Sequence, residues 1–509
     1  MQWRDDGAMA SRLLHRPELA LFLAAFVLHL WVNGAYGYFR DELYFIVCGR
    51  HPAWGYTDQP PLTPLIAASS DAIFHSLRGL RLVPALAIAG TAALAAYAAR
   101  LLGGGLFARW LAGLAVFAGG GLQVPGVILT TDTLQPLAWL AIALCVIKAE
   151  RDNAPQFWFA AGAIAGVAFL AKYTVALFLV SIAVGLLLTP QRRVLARWAP
   201  WGAALLALAI AAPNLLWQAL NGWPFVAHTA VLAAEKNIPL SPGQFLAQEV
   251  LTLGPGSAPV WIAGLAAFAF WRPFAPMRWV AASWLFMAAA AIIARGRPYY
   301  LAPAYPLLMA GGAVAWEAWL PQAARPALTA FVIVGILVAA PFAMPILPVS
   351  AYLQYQRALG FKPSTGEKLS LGVLPQYYAD MFGWPEIAET VGKAYQALPA
   401  EEKAKAVFFG RNYGEAAAVD FFAQRWGGPP AISAHESYFL WGPRGADGSI
   451  VFVLGGSRED HIKSFRSVEP VGFIENPLGM PEESGQTLWL CRGLREPLDK
   501  IWPRLRHYG

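Results

Sequence analysis

The chain has 509 residues, of which 57% are hydrophobic and 14% are charged, and its mean hydropathy is +0.46. A soluble domain usually carries about 25% charged residues, so this composition excludes an ordinary soluble protein and indicates an integral membrane protein. Cys48, Cys145 and Cys491 form no CxxC pair or ligand cluster, which argues against redox chemistry and a structural zinc site. The net charge of +7 comes mostly from arginines in short loops, which is typical of residues that set membrane topology and contact phospholipids. Nucleic-acid binding is not expected.

Long apolar stretches recur along the first two thirds of the chain. A bilayer core of roughly 30 Å requires about 20 apolar residues per helix, so the sequence predicts about eleven spans. They lie at 17–36, 82–99, 110–129, 131–148, 157–171, 173–189, 199–218, 250–271, 279–295, 299–319 and 327–346. The first stretch follows Arg4, Arg12 and Arg16 as a signal peptide would, but it is long enough to span, and we interpret it as an uncleaved helix.

The arginines predict the orientation of these spans. With the N-terminus inside, the short inner connections carry Arg100, Arg109, Arg151, Arg192, Arg193, Arg197, Arg272, Arg278 and Arg325, as the positive-inside rule requires. The segment 37–81, the turn 130–132, the break at Lys172, the loop 219–249 and the turn 295–300 then fall on the outer face. The unusual polar residues are therefore predicted to gather on one side of the membrane.

The chain is predicted to have two domains, a helical membrane domain at 1–346 and an outer domain at 347–509. Beyond Pro345 the composition becomes mixed, and the tail is long enough for its own core. The segments 406–409, 450–454 and 487–490 are predicted strands, and 385–398 and 415–426 are predicted helices, which indicates a small α/β domain.

The first outer segment holds the strongest candidate for a catalytic residue. Asp41 and Glu42 are adjacent acids beside Arg40, and the turn-rich HPAWGYTDQPPL follows with His51 and Asp58. Two acids in a first helical turn are also explained by the helix dipole. The neighbouring ionisable groups favour a functional site, because such groups are costly at a bilayer boundary.

A carboxylate in this position can act as a general base that takes a proton from an acceptor hydroxyl attacking an activated sugar. If the leaving group is a phosphate, it needs no proton, but its charge must be neutralised by cations or a metal. Candidate cations are Arg81, Lys172, Arg295 and Arg297, although any one of them is also explained by snorkelling to lipid headgroups.

Asp132 in TTDTL and Tyr299 in RPYYLAP are candidate contacts for the sugar or acceptor, together with His51 and Asp58. The alternative for Asp132 is an acid at a helix N-terminus, which the helix dipole favours. The loop 219–249 has no recognisable metal-ligand spacing, and GRNYG in the tail is no dinucleotide-binding motif. No metal site is therefore predicted, and the need for a divalent cation such as Mg²⁺ or Mn²⁺ is left open.

These motifs together resemble a known family. The DE pair with AWGYTDQPPL, the TTDTL turn, the AKYT break and RPYYLAPAYPLL are similar to the GT-C membrane glycosyltransferases of the protein-mannosyltransferase-like, or glycosyltransferase 39-like, group, which includes lipid A aminoarabinose transferase-like members. The resemblance covers 17–320, and RNYGEAAAVDFF with SYFLWGP is similar to the outer tail of bacterial members.

The resemblance implies a polyprenyl-phosphate sugar donor, transfer outside the cytoplasm and inversion at the anomeric carbon. Asp41 matches the family's first-loop base and Glu42 the acid beside it. Gln59 stands where related sequences often have His, and Glu436 where they often have Asn, which leaves the transferred sugar unidentified.

The sequence thus predicts a multi-span glycosyltransferase in a bacterial inner membrane, with a cytoplasmic N-terminus and a periplasmic tail. Its acceptor is a lipid, lipopolysaccharide, another envelope glycan or a protein. A transporter or flippase is the main alternative, and it should carry polar residues near the bilayer midplane and often two related halves, which this sequence lacks. A structural scaffold with a degenerate site leaves the one-sided polar residues unexplained.

Overall fold

The computed structural model describes residues 15–363 and 368–508, without the side chain of Gln424. The predicted N-terminal arginines Arg4 and Arg12 lie outside these ranges. By its internal contacts the chain forms two compact units. The helical unit contains the residues up to Ala35, Arg78–Leu216 and Pro239–Leu347, and the mixed unit contains Tyr36–Leu77, Trp217–Ile238 and the residues from Pro348 onward.

The helical unit is built from apolar helices whose buried faces are rich in alanine and glycine. Its α-helices are Pro17–Val32, Leu82–Leu101, Leu106–Ala118, Gly120–Val127, Gln135–Arg151, Pro155–Phe169, Thr174–Leu187, Trp198–Leu220, Pro242–Thr252, Ala258–Phe270, Arg278–Ile293, Tyr305–Trp319 and Arg325–Ala343, preceded at the boundary by the short Leu77–Leu80. Short 3₁₀ turns occupy Pro190–Ala196, Arg272–Met277, Pro298–Ala304 and Gln322–Ala324. Each of the predicted apolar stretches overlaps at least one of these helices.

Fewer helices than the predicted eleven reach span length in the described ranges. Four are long and apolar enough by themselves, namely Leu77–Leu101, Trp198–Leu220, Arg272–Ile293 and Gln322–Ala343. Two bent pairs bring the number to six. The pair Leu106–Ala118 and Gly120–Val127 bends by 70° at Gly119, and the pair Thr174–Leu187 and Pro190–Ala196 bends by 114° before Pro190. Glycine and proline interrupt apolar stretches that hydropathy alone reads as continuous.

Two helices of this unit pack backbone against backbone. A Cβ atom at Gly264 would collide with the carbonyl of Leu308, and one at Gly312 with the carbonyl of Val260. Small residues permit this close approach between membrane helices. The packing fixes helix Tyr305–Trp319, and with it the preceding turn Pro298–Ala304, which carries candidate site residues.

The mixed unit joins the first outer segment to the tail. Its α-helices are Arg40–Arg50, Leu62–Phe74, Pro224–Val231, Val349–Ala358, Gln376–Ala379, Trp384–Gln396, Ala400–Lys403, Tyr413–Trp426, Glu436–Trp441, Arg458–Ser464 and Leu498–Leu505, with a π-helical turn at Leu232–Lys236 and a 3₁₀ turn at Pro481–Glu483. The predicted domain boundary at 346/347 lies next to the start of the tail part of this unit. The contacts group the segment Tyr36–Leu77 with that tail, whereas the sequence analysis assigned it to the membrane domain.

The tail contains a mixed sheet. Its strands are β1 (Ala406–Phe409), β2 (Ala431–Ile432), β3 (Ile450–Leu454), β4 (Phe465–Ile474) and β5 (Gln486–Leu494), in the order β2-β1-β3-β5-β4. Strand β1 runs parallel to β2 and β3, with Phe408 opposite Phe452, whereas β5 runs antiparallel to β3 and β4. The three predicted strands and two predicted helices are all present. Strand β4 was not predicted, because it is an edge strand with many exposed residues and a proline at position 470.

Candidate active site

Asp41 lies in the first turn of helix Arg40–Arg50, and its carboxylate is held by the tail. The hydroxyl of Tyr413 donates a hydrogen bond to Asp41 Oδ1 at 2.7 Å. Arg40 Nε lies 3.6 Å from the same oxygen, and the Asp41 side chain keeps 30% of its surface exposed. The carboxylate is thus oriented and accessible, which are the two properties that a general base needs.

Arg40 is partly buried between acids and an aromatic ring. Its guanidinium lies 3.7 Å from Asp380 Oδ2 and 5.4 Å from the centre of the Tyr413 ring. Its backbone amide donates to the carbonyl of Asp380 at 3.0 Å. These contacts fix the start of the helix that carries Asp41.

Glu42, the second predicted catalytic acid, has a structural contact. Its side chain is fully buried, and Oε2 accepts a hydrogen bond from the backbone amide of Phe39 at 2.9 Å. A glutamate at the third helical position that reaches back to the N-cap amide stabilises a helix start. This contact gives Glu42 a helix-capping role, whereas the Asp41 side chain keeps 30% of its surface exposed.

Asp58 and His51 lie in the same unit as Asp41. The hydroxyl of Tyr44 donates to Asp58 Oδ1 at 2.9 Å and accepts from the amide of Ser437 at 3.2 Å. His51 stacks on Trp441, with ring centres 4.4 Å apart. His51 therefore packs against the tail helix Glu436–Trp441, and Tyr44 links Asp58 to the same helix.

Glu436 joins this cluster from a strained position. Its φ of 51° is in the left-handed region, which is uncommon for a residue other than glycine. Its Oε1 lies 2.9 Å from His228 Nδ1 and 3.4 Å from His435 Nε2. Strained residues that carry ionisable groups are frequent at functional sites.

The two acids of this cluster have pKa values displaced in opposite directions. Burial, reinforced by the nearby Glu436 carboxylate, raises the pKa of Asp58. Burial alone would also raise the pKa of Glu436, but its contacts with His228 and His435 outweigh burial and lower it. Because the pKa values of the two carboxyl groups are shifted in opposite directions, this cluster is a candidate for substrate contact.

A second polar cluster lies in the helical unit. Lys172 Nζ donates to Asp132 Oδ2 at 2.5 Å, with side chains 15% and 22% exposed. The ammonium lies 5.7 Å from the centre of the Tyr299 ring and 5.2 Å from that of Tyr300. The structure therefore brings together three predicted site residues, Lys172, Asp132 and Tyr299, from segments far apart in the chain.

The three predicted arginines have different surroundings. Arg81 is fully buried and donates to the carbonyl of Asn33 at 3.1 Å, while Asn33 donates to the carbonyl of Arg81 at 2.9 Å. These reciprocal bonds join two helix ends and favour a structural position for Arg81. Arg295 is exposed and Arg297 is half-buried, on either side of Gly296 before the turn Pro298–Ala304.

Within residues 15–363 and 368–508, no group of three or more His, Cys, Asp or Glu side chains is placed to hold a metal ion. The need for a divalent cation stays open.

Sequence reasoning missed Tyr413. It lies 372 positions from Asp41 in the sequence, within GRNYG, which by itself indicated only a strand, a turn and a helix. The similarity of RNYGEAAAVDFF to the tails of bacterial family members was the available signal, but it carried no information about contacts.

Residues 58–217 match the sequence profile of the family described as dolichyl-phosphate-mannose-protein mannosyltransferase. A search of curated protein sequences finds no significant match.

Two solved structures have a similar fold. The apo crystal structure of ArnT from Cupriavidus metallidurans matches with 14% sequence identity and a TM-score of 0.59, and the alignment covers 93% of this chain and 97% of that chain. The structure of the same protein bound to undecaprenyl phosphate matches with 14% identity, the same coverage and a TM-score of 0.58. The chain therefore has a fold similar to that of ArnT, a helical membrane fold with a small C-terminal sheet domain, and the profile match at 58–217 indicates a glycosyltransferase.

Proposed function

We propose that this protein is an inverting glycosyltransferase that moves a sugar from a polyprenyl-phosphate donor to an acceptor hydroxyl. The observation that carries the proposal is the accessible Asp41 carboxylate, held by Tyr413 and Arg40 in the segment that resembles the family's catalytic loop. The donor class is supported by ArnT, a protein of the same fold whose solved structure holds undecaprenyl phosphate.

In the proposed reaction, Asp41 takes the proton of the acceptor hydroxyl while its oxygen attacks the anomeric carbon. The new C–O bond forms as the bond to the donor phosphate breaks, which inverts the anomeric configuration. The electron pair leaves with polyprenyl phosphate, which needs no proton because its charge can be met by a cation. Asp41 then releases the proton to water.

We assign the phosphate contact to Lys172, with Arg295 and Arg297 as further candidates. Lys172 is a cation beside aromatic rings in an otherwise apolar helical unit, and charges in such surroundings are costly unless they serve a function. Asp132 holds the ammonium in place and, with Tyr299, is available to contact the sugar. Arg81 and Glu42 are assigned supporting positions because each makes a hydrogen bond with the backbone that stabilises a helix end.

We assign the acceptor to the cluster of Asp58, Glu436 and His228, with His51 beside it. These side chains can donate and accept hydrogen bonds, and the pKa values of Asp58 and Glu436 are shifted, which suits a glycan or lipid headgroup rich in hydroxyls. The acceptor is proposed to be a lipid, lipopolysaccharide or other cell-envelope glycan, and transfer is proposed to occur on the outer face of a bacterial inner membrane.

The test is Asp41→Asn, which keeps the size of the side chain and removes its basicity. Membranes that contain the variant are mixed with a lipid extract from cells lacking the gene, and released polyprenyl phosphate is measured by mass spectrometry. We expect normal insertion and a loss of transfer of about 100-fold or more, as for removal of a general base. Transfer at the wild-type rate would exclude Asp41 as the base.

A further inference from the structure

The tail segment RNYGE, residues 411–415, fixes the start of helix Tyr413–Trp426. Asn412 is the N-cap, and its side-chain oxygen accepts from the amide of Glu415 at 3.0 Å. Arg411 donates to the buried carboxylate of Glu415 at 2.6 Å. Tyr413 is consequently locked as the first residue of a capped helix.

The Tyr413 side chain is confined on several sides. Its ring lies 4.6 Å from the ring of Tyr44 and 5.4 Å from the Arg40 guanidinium, measured between centres. Its hydroxyl donates to Asp41 at 2.7 Å. A partly buried tyrosine whose ring is held by its neighbours keeps its hydroxyl in one place, so the hydrogen bond defines the orientation of the carboxylate.

Gly414 permits this arrangement. A Cβ atom at this position would lie 2.6 Å from Cγ and 2.8 Å from Cδ of Arg40. Only a residue without a side chain allows the first turn of the tail helix to rest on the stem of Arg40. The close approach is independent of the hydrogen bond and indicates that the tail helix is fitted to the segment that carries Asp41.

Both contacts to the Asp41 carboxylate, from Tyr413 and Arg40, fall on Oδ1. Anchoring one carboxylate oxygen fixes the direction in which the other points. We propose that Tyr413 is a positioning residue that orients Asp41 toward the acceptor hydroxyl, so that the tail contributes to catalysis directly. This inference rests on the proposed role of Asp41 as the base.

The test is Tyr413→Phe, which keeps the ring contacts and removes only the hydroxyl. Released polyprenyl phosphate is measured against increasing amounts of lipid extract from cells lacking the gene. We expect kcat to fall by ~10- to 100-fold, the range that misplacing a reacting group by about 1 Å can cause, with KM for the extract nearly unchanged. A defect in folding or substrate binding would instead lower the amount of folded protein or raise KM.

The chain offers a matched control in Tyr438. Its hydroxyl donates to Asp420 Oδ2 at 3.0 Å, and Arg444 donates to the same oxygen at 2.7 Å. This group repeats the arrangement of tyrosine, aspartate and arginine without Asp41. Tyr438→Phe should leave kcat within about twofold of the wild type. A second variant, Gly414→Ala, should lower kcat with KM retained, because its methyl group displaces Arg40 while the Tyr413 hydroxyl remains.

The outcomes separate this inference from the proposed function. Loss of transfer in Asp41→Asn with a normal kcat in Tyr413→Phe would overturn the positioning role alone. Full transfer in Asp41→Asn would overturn the proposed base and the positioning role together. Equal losses in Tyr413→Phe and Tyr438→Phe would mean that Tyr413 only stabilises the fold.

Discussion

At the scale of single residues, the pair of Lys172 and Asp132 is the least expected feature of the helical unit. A largely buried ion pair loses hydration energy that can exceed its Coulombic attraction, so stability alone gives little reason to keep this one. Under the proposed function, the ammonium beside Tyr299 and Tyr300 neutralises the donor phosphate.

Lys172→Gln should therefore reduce transfer strongly while leaving the amount of folded protein unchanged. The same unit offers a control in Arg109, which is paired with Glu18 at 2.5 Å with side chains 16% and 23% exposed, almost as in the Lys172 pair. Arg109→Gln should keep transfer, measured as release of polyprenyl phosphate. Similar losses in both variants would reduce Lys172 to a structural ion pair.

The histidine at position 228 predicts a dependence of stability on pH. Burial alone would lower the pKa of His228, but its contact with Glu436 outweighs burial and raises that pKa. The resulting stabilisation is complete below the unfolded pKa of about 6.5 and is lost as pH rises through the higher folded value.

The melting temperature of His228→Gln should accordingly fall furthest below that of the wild type near pH 6, and the difference should shrink as pH rises toward 8.5. Thermal unfolding of the intact protein in detergent measures it. Glu436→Gln should remove most of this pH dependence, because the carboxylate that raises the pKa is gone. A difference that grows with pH would contradict the assignment.

At the residue scale, prediction from sequence singles out positions where a polar group interrupts an apolar pattern. Lys172, Asp132 and Asp41 stood out in that way. It failed where the contact partner is distant in sequence, as for Tyr413 with Asp41 or His228 with Glu436. Glu42 illustrates a third case. Its position next to Asp41 suggested a catalytic role, whereas its side chain caps the start of the helix.

At the scale of elements, backbone contact between helices Ala258–Phe270 and Tyr305–Trp319 fixes the turn with Tyr299. Gly312→Ala should lower stability by about 1–3 kcal/mol, because the added methyl group meets the carbonyl of Val260 in a packed interface. Thermal unfolding measures the loss. Gly120→Ala is the control, since the nearest atom to its added Cβ would be 3.6 Å away, and it should change stability little. Equal stability of the two variants would contradict the packing.

The sequence predicted the helices and most strands because apolar periodicity and composition report burial directly. The lengths of the spans were less predictable. Gly119 and Pro190 break stretches of uniform hydropathy, and whether a break bends a helix depends on the packing around it.

At the scale of the whole molecule, the proposal requires the tail and the first outer segment to face the outside. Membrane-impermeant maleimide should label Lys463→Cys in intact spheroplasts and Arg197→Cys only after permeabilisation. These positions are 73% and 52% exposed, in the tail and in a predicted inner connection. The native Cys48 and Cys491 are buried and Cys145 is half-buried, so a variant without Cys145 gives a low background. The reverse labelling pattern would place the site on the wrong face.

The most direct measurement is mass spectrometry of lipid extracts and envelope glycans from cells with and without the gene. The proposed function predicts that cells without it accumulate a polyprenyl-phosphate sugar and lack one sugar residue on an envelope glycan or lipid. Restoring the wild-type gene should reverse both changes, and restoring Asp41→Asn should reverse neither. Unchanged lipids and glycans, or a glycan restored by Asp41→Asn, would contradict the account.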